Sequence, residues 1–139
     1  MIVLDAYAVL ALLKDEPAAV DVAALLQWED DVALTAVGVA EVVDHLVRLG
    51  GADPEEAALD VAQLGLTEGL PVDGASGLRA GLLRAGHYHR RNRAVSMADC
   101  IAAEAARSSG GRLATADPHL LALCDDEGIG VIPLPGSGE

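Results

Sequence analysis

The chain has 139 residues, which fits one domain, and 52% of them are hydrophobic although Phe is absent, so the core must consist of Leu, Val, Ile and Ala. A formal net charge of −13 excludes a protein that attracts nucleic acid through its overall field, so a nucleic-acid site would need a bound divalent cation or a compact arginine cluster. Cys100 and Cys124 lie in apolar surroundings without clustered histidines, so we expect free thiols and a cytoplasmic protein. No uncharged run approaches the ~18 residues of a membrane span, so we expect no membrane partner.

Short apolar runs predict the strands of a parallel sheet. The first run, MIVL, is apolar on both faces, as strands covered by helices on two sides usually are. The predicted strands are residues 1–4, 31–35, 112–115 and 130–134, with a further short strand at 70–73.

The segments between these strands carry helix signals. Pro17 is expected in the first turn of the second helix, Gly50 and Gly51 close the third, and Asp53 caps the fourth. The predicted helices are residues 6–14, 16–28, 36–51, 53–65, 74–89, 96–109 and 118–126. This alternation predicts an α/β fold with helices on both faces of the sheet. Residues 1–134 are predicted to form a single domain, and residues 135–139 a frayed tail.

Four acidic residues follow or flank the predicted strands. Asp5 ends the first strand, Asp117 lies just beyond a later one, Asp99 opens a helix, and Glu41 sits on the polar side of the helix after the second strand. Ligands of open parallel sheets bind beyond the carboxyl ends of the strands. Because carboxylates repel one another at short range, their convergence there favours a hard divalent cation such as Mg²⁺ or Mn²⁺.

Each acid also has a purely structural interpretation. Ser96 and Asp99 fit a capping box, and Asp117 before Pro118 fits an N-cap. Glu41 fits a solvated helix face. Asp5 is harder to explain in this way, because an acid directly after a buried strand is costly without a partner. Spacing alone leaves both interpretations open.

Four segments, taken together, resemble the PIN domain and, more narrowly, the VapC-type toxins of type II toxin–antitoxin (VapBC) pairs. They are IVLDAYAVLALL, AVGVAEVVDHL, SMADCIAAEAA and LATADPHLLAL, in this order, and the resemblance runs from residue 1 to about residue 134.

The resemblance implies a three-layer α/β/α sandwich and a Mg²⁺- or Mn²⁺-dependent endoribonuclease that leaves 5′-phosphate and 3′-hydroxyl ends. It places the family's catalytic, metal-binding quartet on Asp5, Glu41, Asp99 and Asp117, and a supporting polar residue on Ser96. It also implies a VapB-like antitoxin partner that covers the site, and a homodimer.

One position departs from the family pattern. Many members have Ser or Thr two residues after the first aspartate, and this chain has Tyr7. Its hydroxyl either serves the site from further away or its ring narrows the cleft, so Tyr7 is a supporting residue whose effect on activity stays open.

The stretch RRNR concentrates Arg90, Arg91 and Arg93, a third of the basic residues, just before Ser96. Arginine suits bidentate contact with phosphate, so we predict an RNA-binding patch here, with a solvated loop as the alternative.

Two rival functions stay open. One is a catalytically weak or inactive PIN-fold binding module regulated by an antitoxin-like partner, and the other is cleavage of DNA by the same acids. Phosphatases of the haloacid dehalogenase type need a second aspartate at position 7, and receiver domains need a later lysine than Lys14, so both fit poorly.

Overall fold

The computed structural model describes residues 1–29 and 31–136, which fold around a parallel β-sheet. Its four strands lie in the order β2-β1-β3-β4. They are β1 (Ile2–Leu4), β2 (Val32–Leu34), β3 (Arg112–Thr115) and β4 (Gly130–Pro133). In the register of the sheet, Leu4 pairs with Leu34 on one side and Ala114 on the other. The residues that follow these three strands therefore reach the same edge of the sheet.

Helices fill the connections between strands. They are α1 (Ala6–Leu13), α2 (Ala19–Trp28), α3 (Ala36–Asp44), a π-helical turn (His45–Leu49), α4 (Pro54–Gln63), α5 (Gly74–His87), α6 (Met97–Ser108) and α7 (Pro118–Glu127). Most begin at a capping side chain, because Asp, Ser and Thr oxygens accept the free N–H groups of the first turn. The caps that concern the site are Asp5, Thr35, Ser96 and Asp117.

Two apolar layers cover the sheet, one on each face. Alternate strand residues point to opposite faces, so Leu4 packs with the helices α1 to α4, whereas Val3 packs with α5, α6 and α7. In the same way, Ala114 packs in the layer that contains Leu4, and Leu113 packs in the layer that contains Val3. The predicted three-layer α/β/α fold is thus confirmed.

Three local predictions need correction. Residues 70–73 do not form a strand: Leu70 makes a single parallel bridge to Thr35, and Pro71 has no N–H with which to continue the pairing. Pro17 lies before α2 rather than in its first turn. The helix predicted over residues 36–51 changes at His45 from an α-helix to a π-helical turn.

The end of the chain is described only in part. Of the predicted tail, residues 137–139 lie outside the described residues. None of the described helices is long and apolar enough to span a membrane.

Candidate functional site

A cleft of about 500 Å³ opens at the carboxyl edge of the sheet, between α1, α3 and the first turn of α6. Its walls carry residues that directly follow β1, β2 and β3, because these strands end at the same level. All four predicted acids line it, namely Asp5, Glu41, Asp99 and Asp117. The topology therefore brings together side chains that lie up to 112 positions apart in the sequence, from residue 5 to residue 117.

Asp5 is the most buried of the four, with 7% of its surface exposed. Its Oδ1 accepts a hydrogen bond from the backbone N–H of Ala8 at 2.9 Å, which caps α1. Its Oδ2 accepts one from the hydroxyl of Thr115. The pKa of Asp5 is raised to about 6, chiefly by burial. The two hydrogen bonds act in the opposite direction, and the charges of Asp99 and Asp117 add to the rise.

Asp99 and Ser96 form a reciprocal capping box at the start of α6. The N–H of Ser96 donates to Asp99 Oδ2 at 2.9 Å, and the N–H of Asp99 donates to Ser96 Oγ at 3.0 Å. The structural interpretation of this pair therefore holds, and the carboxylate still lines the cleft. Burial raises the pKa of Asp99, the Ser96 hydrogen bonds oppose this, and the charge of Asp117 adds to the rise.

Asp117 is the N-cap of α7 and accepts a hydrogen bond from the N–H of His119 at 2.8 Å. Its own N–H donates to the hydroxyl of Thr115 at 3.1 Å. Thr115 is thus a bridge between Asp5 and Asp117, and sequence reasoning missed it. The available signal was a hydroxyl residue at the end of a strand, two positions before an acid.

Glu41 reaches the cleft from α3 and is the exposed member of the group. Val42 on α3 and Leu46 in the π-helical turn that follows it are buried in the core. Partial burial raises the pKa of Glu41, and the charge of Asp99 raises it further. Glu41 and Asp99 are therefore close enough to interact across the cleft.

The donor set suits a hard cation in chemistry, but it is not a preformed coordination shell. Within residues 1–29 and 31–136, no three His, Cys, Asp or Glu side chains are grouped closely enough to hold a metal ion as they stand. The acids nevertheless raise one another's pKa, so the cleft accumulates negative charge that a divalent ion bound by carboxylate oxygens would neutralise. The residues fit Mg²⁺ or Mn²⁺ if their side chains move together on binding.

Residues 2–125 match the model of the PIN domain family. The chain belongs to this family. A search of curated proteins found no significant match.

Solved structures with the same fold cover almost the whole PIN domain. FitAcB from Neisseria gonorrhoeae aligns with 22% identity and a TM-score of 0.69 over 95% of this chain and 96% of the other. VapBC2 from Rickettsia felis, bound to a fragment of promoter DNA, aligns with 14% identity and a TM-score of 0.70 over 96% and 99%. A toxin–antitoxin complex from Klebsiella pneumoniae aligns with 18% identity and a TM-score of 0.66 over 95% and 96%. At these identities the similarity supports the fold alone.

Tyr7 lines the cleft of this PIN domain, and its hydroxyl makes no hydrogen bond to any of the four acids in the described residues. The hydroxyl donates to the carbonyl oxygen of Pro135 at 3.3 Å. Loss of solvent raises the pKa of Tyr7, and the charges of Glu16 and Asp5 contribute. Tyr7 is thus a wall residue of the cleft, and the hydroxyl that hydrogen-bonds to Asp5 comes from Thr115.

The predicted arginine patch divides into two parts. Arg93 donates to Asp126 on α7 at 3.0 Å, and its backbone pairs with His89 to close a tight turn. Arg90 and Arg91 lie exposed at this turn and form no ion pair with any described residue. The ring of His119, two residues after Asp117, contacts the carbonyl of Asn92 at 3.1 Å. The turn is thereby fastened next to the acidic cleft.

Proposed function

We propose that this PIN domain is a Mg²⁺- or Mn²⁺-dependent endoribonuclease and the toxin of a toxin–antitoxin pair. The observation that carries this proposal is the cleft itself. Four carboxylates from separate segments of the chain line one opening at the carboxyl edge of the sheet, and the pKa of three of them is raised by burial and by one another. Such an arrangement is costly for stability and is characteristic of functional sites.

In this proposal, Asp5, Asp99 and Asp117 hold the ion, and Glu41 completes its shell or orients a water molecule. A divalent ion bound there supplies positive charge that stabilises a phosphodiester in the transition state and acidifies water. The Ala8 N–H and the Thr115 hydroxyl fix the orientation of Asp5, and Ser96 fixes that of Asp99. These hydrogen bonds leave the cleft side of the acids available and limit the reorganisation that binding requires.

Arg90 and Arg91 are proposed to contact the phosphates of RNA beside the cleft. Their turn is fastened to the first helical turn after Asp117, and no described carboxylate neutralises them. They would offset the acidic field of the chain where RNA must approach. Arg93 is left out of this proposal because its guanidinium pairs with Asp126.

A protein partner and a second copy of the chain are part of the same proposal. The exposed large apolar side chains include Val20 and Trp28 on α2 and Leu78 and Leu82 on α5. Exposed apolar side chains on two different helices fit two interfaces, one for a VapB-like antitoxin and one for a homodimer. One of the solved structures with this fold is the toxin–antitoxin complex from Klebsiella pneumoniae. We place this system in the cytoplasm, with its RNA substrate.

The test is cleavage of total cellular RNA by the purified, antitoxin-free protein with Mg²⁺ or Mn²⁺, followed by sequencing of the new 5′ ends. The matched control is Asp99→Asn, in which the amide oxygen still accepts from the Ser96 N–H and preserves the helix cap. Discrete cuts by the wild type would support the nuclease if Asp99→Asn cleaves the same positions at least about a hundredfold more slowly.

A second candidate is a PIN-fold module that binds RNA or an antitoxin without cutting. One observation favours it: within the described residues, the acids are not grouped as a ready metal site. If the folded wild type binds RNA but leaves total RNA intact with both ions, this candidate replaces the nuclease. Cuts in DNA but not in RNA would instead redirect the proposal to a deoxyribonuclease.

A further inference from the structure

Most of the basic side chains are already engaged inside the molecule. The chain has nine Lys and Arg residues. The engaged ones are Arg48 with Asp44, Arg79 and Arg107 with Glu104, Arg84 with the Val95 carbonyl and the Tyr88 ring, and Arg93 with Asp126. Lys14, the only lysine, stands out among the rest because it lies next to a side chain that lines the acidic cleft.

Lys14 is the C-cap residue of α1, and its Nζ lies 2.6 Å from Nε2 of His45. An ammonium group can only donate, so in this contact Nζ is the donor and Nε2 of His45 is the acceptor. Lys14 forms no ion pair with any carboxylate among the described residues. The contact fixes a flexible side chain in one place.

His45 brings this ammonium group to the wall of the cleft. It is the first residue of the π-helical turn, and Glu41, His45 and Arg48 all line the cleft from one side of the helix. At 1.5 Å per residue, His45 lies about 6 Å further along the axis than Glu41. Arg48, further still, is neutralised by Asp44 at 2.9 Å. Single π-helical turns within α-helices are frequently found at functional sites.

We propose that Lys14, positioned by His45, binds a backbone phosphate of the RNA strand beside the wall of the cleft that His45 forms. This inference rests on the proposed function, because it assigns a second contact to the same substrate. A lysine ammonium binds phosphate as a point charge, and two of its three N–H bonds remain free after the contact with His45. Lys14 then adds a phosphate contact to those proposed for Arg90 and Arg91.

The test measures binding of a fluorescently labelled single-stranded RNA at several salt concentrations, with every variant placed in the Asp99→Asn background to prevent cleavage. Lys14→Gln should weaken binding about three- to tenfold and lower the slope of log affinity against log salt by about 0.7. Lys14→Arg should restore both. The matched control is Arg112→Gln, which removes one positive charge at the start of β3, at the opposite end of the sheet, and should leave both values nearly unchanged.

His45 is tested as a positioning residue with two variants. His45→Leu removes the acceptor for Lys14 and should reduce binding as Lys14→Gln does, whereas His45→Gln keeps an acceptor oxygen and should restore most of it. In the Asp99 wild-type background, Lys14→Gln should raise KM with little change in kcat, because the contact binds the strand and takes no part in the cleavage step. A purely structural role of the Lys14–His45 contact would lower the melting temperature and leave the salt slope unchanged.

The outcomes separate this inference from the proposed function. If the wild type cuts RNA and Lys14→Gln has the same affinity and salt slope as Arg112→Gln, the Lys14 site is wrong and the nuclease stands. If the wild type binds but does not cut, the nuclease is wrong, and the salt slopes still decide the Lys14 site. If the folded wild type does not bind RNA, both are wrong.

Discussion

Two buried carboxylates in this PIN domain differ in how their charge is balanced. Glu104, on α6, is 1% exposed and pairs with the guanidinium groups of Arg79 and Arg107. Asp5, at the carboxyl edge of the sheet, is 7% exposed, and its hydrogen bonds come from a hydroxyl and a backbone N–H. The charged groups that perturb it are Asp99 and Asp117, which repel it.

This difference separates a carboxylate that serves the fold from one available to a ligand. A buried charge is tolerated when the chain supplies its counter-ions, as it does for Glu104 on the side of the sheet covered by α5, α6 and α7. At Asp5 the chain supplies further acids instead, and burial with mutual repulsion raises the pKa. The missing positive charge is what a divalent cation and an RNA-binding surface would together provide.

The largest effect on stability is expected at Glu104, whose charge is balanced by two arginines. Glu104→Gln should lower the free energy of unfolding by about 2–4 kcal/mol, because it leaves two guanidinium groups without their shared partner. Urea unfolding at neutral pH measures this. Asp44→Asn is the matched control, since it breaks the exposed pair with Arg48 and should cost far less. An equal loss in the two variants would contradict the importance assigned to Glu104.

The uncompensated carboxylate should behave in the opposite way. Because burial raises the pKa of Asp5 from its ordinary 3.8 to about 6, the folded state binds this proton more tightly than the unfolded state. The free energy of unfolding should therefore fall as pH rises through this interval, and the loss should be complete above it. In chelator above that pH, Asp5→Asn should be more stable than the wild type by about 1–3 kcal/mol.

Addition of Mn²⁺ provides a further test of the prediction for Asp5. The ion should raise the melting temperature of the wild type and have much less effect on Asp5→Asn, because a ligand stabilises only the state that binds it. Thermal unfolding with and without Mn²⁺ is the measurement. Greater stability of the wild type in chelator at neutral pH would show that Asp5 is compensated within the chain, as Glu104 is.

The smallest effects should separate the arginines of the basic turn. Replacing Arg90 and Arg91 with Gln should lower the slope of log RNA affinity against log salt by about 1.4, at about 0.7 per lost phosphate contact, with no change in melting temperature. Arg93→Gln should leave the slope unchanged and cost about 0.5–1 kcal/mol of stability, because its partner is Asp126. If the salt slope falls for Arg93→Gln but not for the variant of Arg90 and Arg91, then Arg93 is the residue that contacts the RNA phosphates.

The order of strands and helices could be predicted because it depends on local signals. The apolar runs mark β1 and β3, and the capping residues mark the first turns of α4, α6 and α7. A parallel sheet then requires residues that follow adjacent strands to meet at one edge, so a shared position for Asp5 and Asp117 followed from the sequence. The π-helical turn at His45 carries no such local signal and was predicted as ordinary helix.

Local signals were thus sufficient to predict the fold class, several helix caps and the acids at the carboxyl edge. How those acids are held, and what surrounds them, depends on contacts that form only when remote segments pack together. Thr115 reaches Asp5 across 110 positions, Lys14 reaches His45 across 31, and Arg93 reaches Asp126 across 33. The physical reason is that a hydrogen bond acts over about 3 Å, so a contact between remote segments depends on strand register and helix packing rather than on the residues that flank either partner.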